Sequence, residues 1–427
     1  MGFQYNISNN SNDTKPRTCM LACHMIATIV NLFVNTFLVA YIYDKNASVY
    51  DYIFNVSIYN ISAYAAMAIF YIPLSYIVDK TNRVGMFRVG LIMRSALVIL
   101  VIFCGEKIAK LTWLAGIVNG ASDATYFASY NVLKQEMVSR KKMSNYSSTT
   151  YIISKLIEVV CPIALGALID VSTFSSVAFI VLIICAAQVG ISFGIKSEKP
   201  INSCFNLRSY FKKIKQNNEV FSKLKIIYLI CAIYGSSALV TMLINICIMI
   251  EYGSSFSLGA ITSAISICAI ITLLLVNKFS KPGNRSGVYI VCGILVILSS
   301  IILLFDFSQI TIVVFNLITA CTGIIYKVEF DIYRNGVLKE AGLYSEISEH
   351  HTVVEVLANI SRVIFFAVLL LISLLQSMLA FKIFIIVTAI FLSLILILIM
   401  IFENKFIRCP AIRPESIVIE TSSEMNK

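Results

Sequence analysis

Apolar residues in this chain come in blocks of about twenty, separated by short polar stretches, and not in the two-residue alternation of half-buried strands. A helix of that length crosses the hydrocarbon core of a bilayer, whereas strands of an outer-membrane barrel would alternate apolar and polar residues over about ten positions. The blocks predict spans at 18–43, 50–78, 84–104, 111–134, 147–170, 174–195, 224–250, 258–277, 287–305, 309–333, 351–375 and 378–402. The expectation is an all-α membrane protein of twelve transmembrane helices in two six-helix bundles, 18–195 and 224–402. Flanking them are an amino-terminal segment, 1–17, and a tail, 403–427. The longest polar stretch, 196–223, carries Lys199, Arg208, Lys212, Lys213 and Lys215 and reads as a cytoplasmic linker between the bundles.

Composition removes the soluble alternative. The 427 residues are 58% hydrophobic and 13% charged, against about 25% charged in a typical soluble domain. Thirty-four Lys and Arg against 23 Asp and Glu give a net charge of +11, and their placement rather than their sum is informative. With both termini inside, 26 basic residues fall on the cytoplasmic side and 4 on the other, which fixes the orientation and leaves no continuous basic stripe for nucleic acid. The 12 cysteines are scattered through apolar segments without metal-ligand spacing, and His350-His351 lacks a third ligand, so neither a metal nor a disulfide framework is expected. The first block continues without a small-residue cleavage site and reads as a retained span. Asn-x-Ser/Thr triplets at Asn6, Asn12, Asn60 and Asn145 fall in cytoplasmic or membrane stretches and do not predict glycosylation.

The two halves share weak self-similarity. Ser75-Tyr-Ile-Val-Asp79-Lys80-Thr-Asn82-Arg83 after the second span matches Leu273-Leu-Leu-Val-Asn277-Lys278-Phe-Ser280-Lys281 after the eighth. Tyr130-Asn131-Val-Leu-Lys134 likewise matches Phe330-Asp331-Ile-Tyr-Arg334, in the same order and at nearly the same offset.

On these residues the chain resembles the major facilitator superfamily. That family's signature loop, Gly-x-x-x-Asp-Arg/Lys-x-Gly-Arg/Lys, is similar to Ser75, Asp79, Lys80, Asn82 and Arg83, with the acid and both bases kept and both glycines replaced. Cys161-Pro162-Ile-Ala-Leu-Gly166 resembles a degraded copy of the antiporter branch's Gly-Pro-rich stretch. Pro414-Glu415-Ser416 resembles the start of the sugar-porter signature, but no Lys-Gly follows. The resemblance implies two pseudo-symmetric bundles that rock about a central site, with Asp79, Lys80 and Arg83 as a conformational latch. Physically, a carboxylate at the inner end of a span can take hydrogen bonds from a neighbouring helix's amino end or from nearby bases, while contributing little to topology. Arg88 reads as a topology charge.

Charges inside a bilayer are costly enough to need a partner or a pathway. Arg94 in the third span and Asp123 in the fourth lie at similar depth and form a candidate ion pair, either for coupling or only for joining two helices. Asn119, Asp123, Tyr126 and Tyr130 share one helical face, beside Gly116 and Gly120, whose spacing permits close packing. Lys155 and Glu158, and Glu355, Asn359 and Arg362, can each neutralise charge along their own helix. Glu329 and Asp331 are expected to face cytoplasmic water, and His24 to be structural. Asn31, Asn35, Tyr59, Asn60, Tyr64, Tyr228, Tyr234 and Asn245 add uncharged polar groups suited to a moderately polar or aromatic solute.

The expected function is secondary active transport of a small molecule by alternating access, coupled to protons and directed outward. It would be carried out by a monomer in a bacterial plasma membrane without a cofactor. Rival readings are a lipid or lipid-linked substrate exporter and a transport-inactive sensor or assembly partner. No nucleophile–base constellation or phosphate-binding loop supports an enzyme.

Overall fold

The computed structural model describes residues 15–46, 48–138, 140–196, 205–280, 285–340, 343 and 346–406, and every regular element among them is helical. Asn6, Asn12, Lys199, Lys281 and Pro414–Ser416 lie outside the described residues. In chain order the helices are α1 (Lys15–Asp44), α2 (Val49–Lys80), α3 (Arg83–Cys104), α4 (Thr112–Met137), α5 (Arg140–Val171) and α6 (Phe174–Ser192). A short linker helix, α7 (Leu207–Gln216), precedes α8 (Asn218–Tyr252), α9 (Ser255–Phe279), α10 (Ser286–Phe305), α11 (Gln309–Glu340), α12 (Ile347–Leu374) and α13 (Met378–Phe406). Eleven of these are long and apolar enough to cross a membrane. The twelfth span is α4, which Asn119, Asp123 and its hydroxyl residues make more polar, yet whose 26 residues pack along both α2 and α3.

Local chemistry sets the helix starts. Each amino end leaves unpaired N–H groups, and a short polar side chain just before the helix satisfies one of them. Asn82 accepts from Gly85, Asn206 from Ser209, Asn217 from Val220 and Ser254 from Ser257, which begins α3, α7, α8 and α9. Gly253, at φ +60°, ends α8 in the left-handed region, where a side chain would be strained. Two irregularities were not foreseen from the pattern: a π-helical turn at Phe33–Phe37 inside α1, and a break in α8 at Tyr234.

Small residues set the closest contacts. A Cβ on Gly120 would meet the Ala63 carbonyl oxygen and one on Gly116 the Tyr59 carbonyl oxygen, so α2 and α4 touch backbone to backbone. Two long seams join the first six spans to the last six, α2 against α12 and α5 against α9. The second seam is drawn tight where Gly259 faces the Pro162 carbonyl and Gly166 the Ser255 carbonyl. Outward faces carry exposed apolar side chains such as Phe103, at 86% exposure, and Val171, at 89%, a surface that fits lipid and not water.

Candidate functional site

Between α1, α2 and α4 lies a cavity of about 40 Å³, room for a few waters. It is walled by Asn35, Asn60, Ala63, Tyr64, Met67, Asn119, Gly120 and Asp123. Asn35 reaches it from the π-helical turn of α1, which is locally widened and underwound relative to the rest of that helix. Asn31, one turn earlier, and Asn245 on α8 lie outside the lining.

Behind this wall Arg94 of α3 pairs with Asp123 of α4. The two helices come together because Ser122 donates to the Gly90 carbonyl at 3.3 Å and Gly90 leaves room for the Tyr126 backbone. Arg94 is 1% exposed, while Asp123, at 18%, turns toward the cavity. The guanidinium lies 4.8 Å from the centre of the Tyr126 ring, a cation–π contact in a desolvated setting. The Tyr126 hydroxyl meets His24 Nδ1 at 2.9 Å, and the imidazole stacks on Tyr130 with centroids 4.5 Å apart. The polar face of α4 is therefore divided: Asn119 and Asp123 line the cavity, whereas Tyr126 and Tyr130 are buried against α1 through His24.

Against Tyr64 of the cavity wall stands Arg362 of α12. Its Nη1 donates to Asn359 Oδ1 at 2.7 Å, and its guanidinium lies 5.1 Å from the ring centre of Tyr64 and 5.7 Å from that of Tyr234. Tyr64 comes from the first half of the chain and Tyr234 from the break in α8, where the freed Gly235 N–H donates to Ser361 Oγ at 3.0 Å. The expectation that Glu355 would neutralise Arg362 is corrected. Seven residues place the two about 10 Å apart along the helix axis, and Glu355 instead faces Arg334 of α11 at 3.9 Å, with Asp331 2.9 Å from the same guanidinium. Lys155 and Glu158 do pair along α5.

At the linker end, Asp79 Oδ1 is 3.2 Å from Arg83 Nη2, and Asp79 Oδ2 accepts the Phe205 backbone N–H at 2.8 Å. Arg83 also pairs with Glu136 of α4. Lys80 is exposed and turns back to the Tyr76 hydroxyl, so the structure does not bring it to Asp79. The second half repeats the arrangement with a different base. Asn277 Oδ1 accepts from Arg285 Nη2 at 2.8 Å, and Arg285 pairs with Glu329 of α11. Glu329 is buried, which corrects its expected exposure to water; Asp331, at 61% exposure, does face outward. Sequence reasoning missed Glu136, Glu349 and Arg285. Their signal was present, since an acid at the inner end of a span has no topological use and invites a search for its base.

Each of the two seams between the halves is bridged by hydrogen bonds. At the linker end Thr352 Oγ1 of α12 donates to Ser75 Oγ of α2 at 2.9 Å. At the opposite end Asp170, closing α5, accepts from Ser254 Oγ at 2.9 Å and from the Phe256 N–H at 3.1 Å.

A polytopic helical protein with two packed sets of six spans, and a small polar cavity lined by the first of them, is the architecture of a membrane transporter. Residues 20–335 match the family model of the Major Facilitator Superfamily, and the chain belongs to that family of secondary transporters. It is 22% identical to the uncharacterized protein YqgE of Bacillus subtilis (strain 168), over 67% of this chain and 66% of that protein. The fold is similar to that of a POT family transporter crystallised with 5-aminolevulinic acid, at a TM-score of 0.67 and 13% identity over 91% of this chain and 96% of the other. It is also similar to the E. coli fucose:proton symporter FucP, at 0.59 and 11% identity over 91% and 98%. A bacterial homologue of the human lysosomal transporter Spinster, solved facing inward and unoccupied, superposes at 0.57 with 14% identity over 92% and 98%.

Proposed function

We propose that this protein moves a small solute by alternating access, with residues 18–195 and 224–402 rocking about the central cavity, protons as the coupling ion and export as the direction. It would act as a monomer in a bacterial plasma membrane with both termini in the cytoplasm. The observation that carries the reading is the cavity itself. It is too small for a solute, it is lined by Asn35, Asn60, Tyr64, Asn119 and the ion-paired Asp123 beside Ala63 and Met67, and hydrogen bonds such as Thr352 to Ser75 and Ser254 to Asp170 bridge the two halves. Such bridges, worth about 1 kcal/mol each in net terms, can be broken one end at a time. Asn35, Tyr64, Asn119, Asp123 and Tyr234 would meet the solute, and Asp123 would exchange its proton against the attraction of Arg94.

The test is flux in proteoliposomes holding the purified protein, with an imposed pH gradient and a solute identified by thermal shift. Solute movement that follows the gradient and collapses when the gradient is dissipated is expected. A folded, inserted protein that binds solute yet moves none would leave the sensor reading in its place.

A further inference from the structure

We infer that the transported solute carries a carboxylate, and that Arg362 is the group that binds it. The inference rests on the transport reading and adds the charge class of the substrate. Arg362 lies behind the cavity wall, with its guanidinium against Tyr64, which itself lines the cavity. The other deep arginines meet acids, Arg94 meeting Asp123 and Arg334 meeting Asp331 and Glu355, while Arg88, near the start of α3, donates to the Ser192 and Ile195 carbonyls. Among the described residues, no carboxylate lies within ion-pair distance of Arg362; its hydrogen-bond partner is the neutral amide of Asn359.

An uncompensated cation deep in a membrane protein is expensive and therefore marks a pathway or a missing partner. The geometry identifies the partner. Nη1 is taken by Asn359, and the buried Nε makes no hydrogen bond, so the Nε–Nη2 edge is the one left to be satisfied. Two parallel N–H donors on a planar edge match the two oxygens of a carboxylate. Tyr64 and Tyr234 fix the plane of the guanidinium from two sides, so the edge is presented in one orientation, and they offer aromatic walls to the rest of the solute.

The test uses the full-length protein in nanodiscs with three matched sets: phenylacetate, phenylacetamide and phenethylamine; hexanoate, hexanamide and hexylamine; and hippurate with its amide. Thermal unfolding and equilibrium binding are read for wild type, Arg362→Lys and Arg362→Gln, with helical circular dichroism as the folding check. Carboxylates are expected to bind and to raise the unfolding temperature in a saturable way, with their amides and amines inert. Arg362→Gln should weaken binding by at least about tenfold, and Arg362→Lys should recover part of it. Equal carboxylate binding in wild type and a folded Arg362→Gln, or binding confined to amides or amines, would overturn the assignment. Gradient-driven flux of a neutral or cationic solute, with no carboxylate bound, would overturn it and leave transport standing. Absence of binding and of flux for every compound would remove both.

Discussion

Asp79 of α2 and Glu349 of α12 take the backbone N–H groups of consecutive linker residues, Phe205 and Asn206, each at 2.8 Å. Two carboxylates, one from each half of the chain, thereby hold the entrance to α7. The rest of that helix is tied down as well. Lys213 pairs with Glu346, and the buried Tyr210 hydroxyl meets both Tyr228, at 2.6 Å, and His350 Nδ1, at 2.9 Å. The linker is a strap across the end of the α2–α12 seam where Thr352 meets Ser75. The halves cannot part there without releasing one of the two carboxylates.

Neutralising the strap should loosen it without unfolding the protein. Asp79→Asn and Glu349→Gln each keep an acceptor oxygen and lose the charge assistance, a difference of about 1 kcal/mol per bond. Amide hydrogen exchange over 205–216 should quicken several-fold in each variant and more in the double, and solute turnover should fall as the balance of states shifts. Unchanged exchange in the double variant would remove the strap from the mechanism.

The buried pair between Arg285 and Glu329 should behave differently, because neither member has water to fall back on. Glu329→Gln leaves a buried guanidinium without its counter-charge, at a cost of about 3–5 kcal/mol, whereas Arg285→Met with Glu329→Leu removes both charges and should recover most of that. Unfolding of the wild type and the two variants in one detergent checks it, and the single change should be the least stable of the set.

Gly120 and Gly190 offer a paired comparison at equal chemical change. A Cβ at Gly120 collides with the Ala63 carbonyl and must push α2 from α4, while at Gly190 it meets nothing within 4 Å. Gly120→Ala should reduce folded yield and unfolding temperature clearly, by the 1–3 kcal/mol typical of overpacking, about the size of a strained core insertion. Gly190→Ala should be neutral or slightly stabilising, since alanine costs less chain entropy in a helix. Equal behaviour of the two would mean that α2 and α4 are not in backbone contact.

Span positions were legible because length and apolarity decide them locally. The Arg94–Asp123 pair could be read in the same way, since two opposite charges at equal depth on successive antiparallel helices have few other partners. What sequence could not supply were contacts chosen by packing. Glu355 turned to Arg334 on a neighbouring helix, not to Arg362 on its own, and the second half used Arg285, eight residues beyond Asn277, for the task Arg83 performs four residues beyond Asp79. A repeat seen by offset alone points to Lys281; which base completes the pair depends on where the helix starts. The break at Tyr234 was also silent, because no proline or glycine pair precedes it, and Gly235 is set by the close approach of Ser361.

The Arg94–Asp123 pair has two possible uses, and the geometry makes them separable. Arg94 is buried under Tyr126 with Nε and Nη1 unpartnered, so its charge leans on Asp123 alone and on the ring beneath it. Asp123, by contrast, borders the cavity and can meet a proton or a solute. If the pair couples transport, protonation of Asp123 must weaken its hold on Arg94, and the solute must make that weakening favourable in one state only. Asp123→Asn should then keep solute binding, keep the fold and abolish the dependence of flux on the pH gradient. If the pair only joins α3 to α4, the same change strands a buried cation and should cost about 3–5 kcal/mol, and Arg94→Ala combined with Asp123→Ala should restore stability with gradient-driven flux intact. Coupling is the expected outcome, because a purely structural pair would have no reason to leave its carboxylate at the cavity wall. Unfolding temperature and pH-driven flux, measured on the two single variants and the double, decide between them: a stable double variant whose flux still follows the gradient would end the coupling role of Asp123.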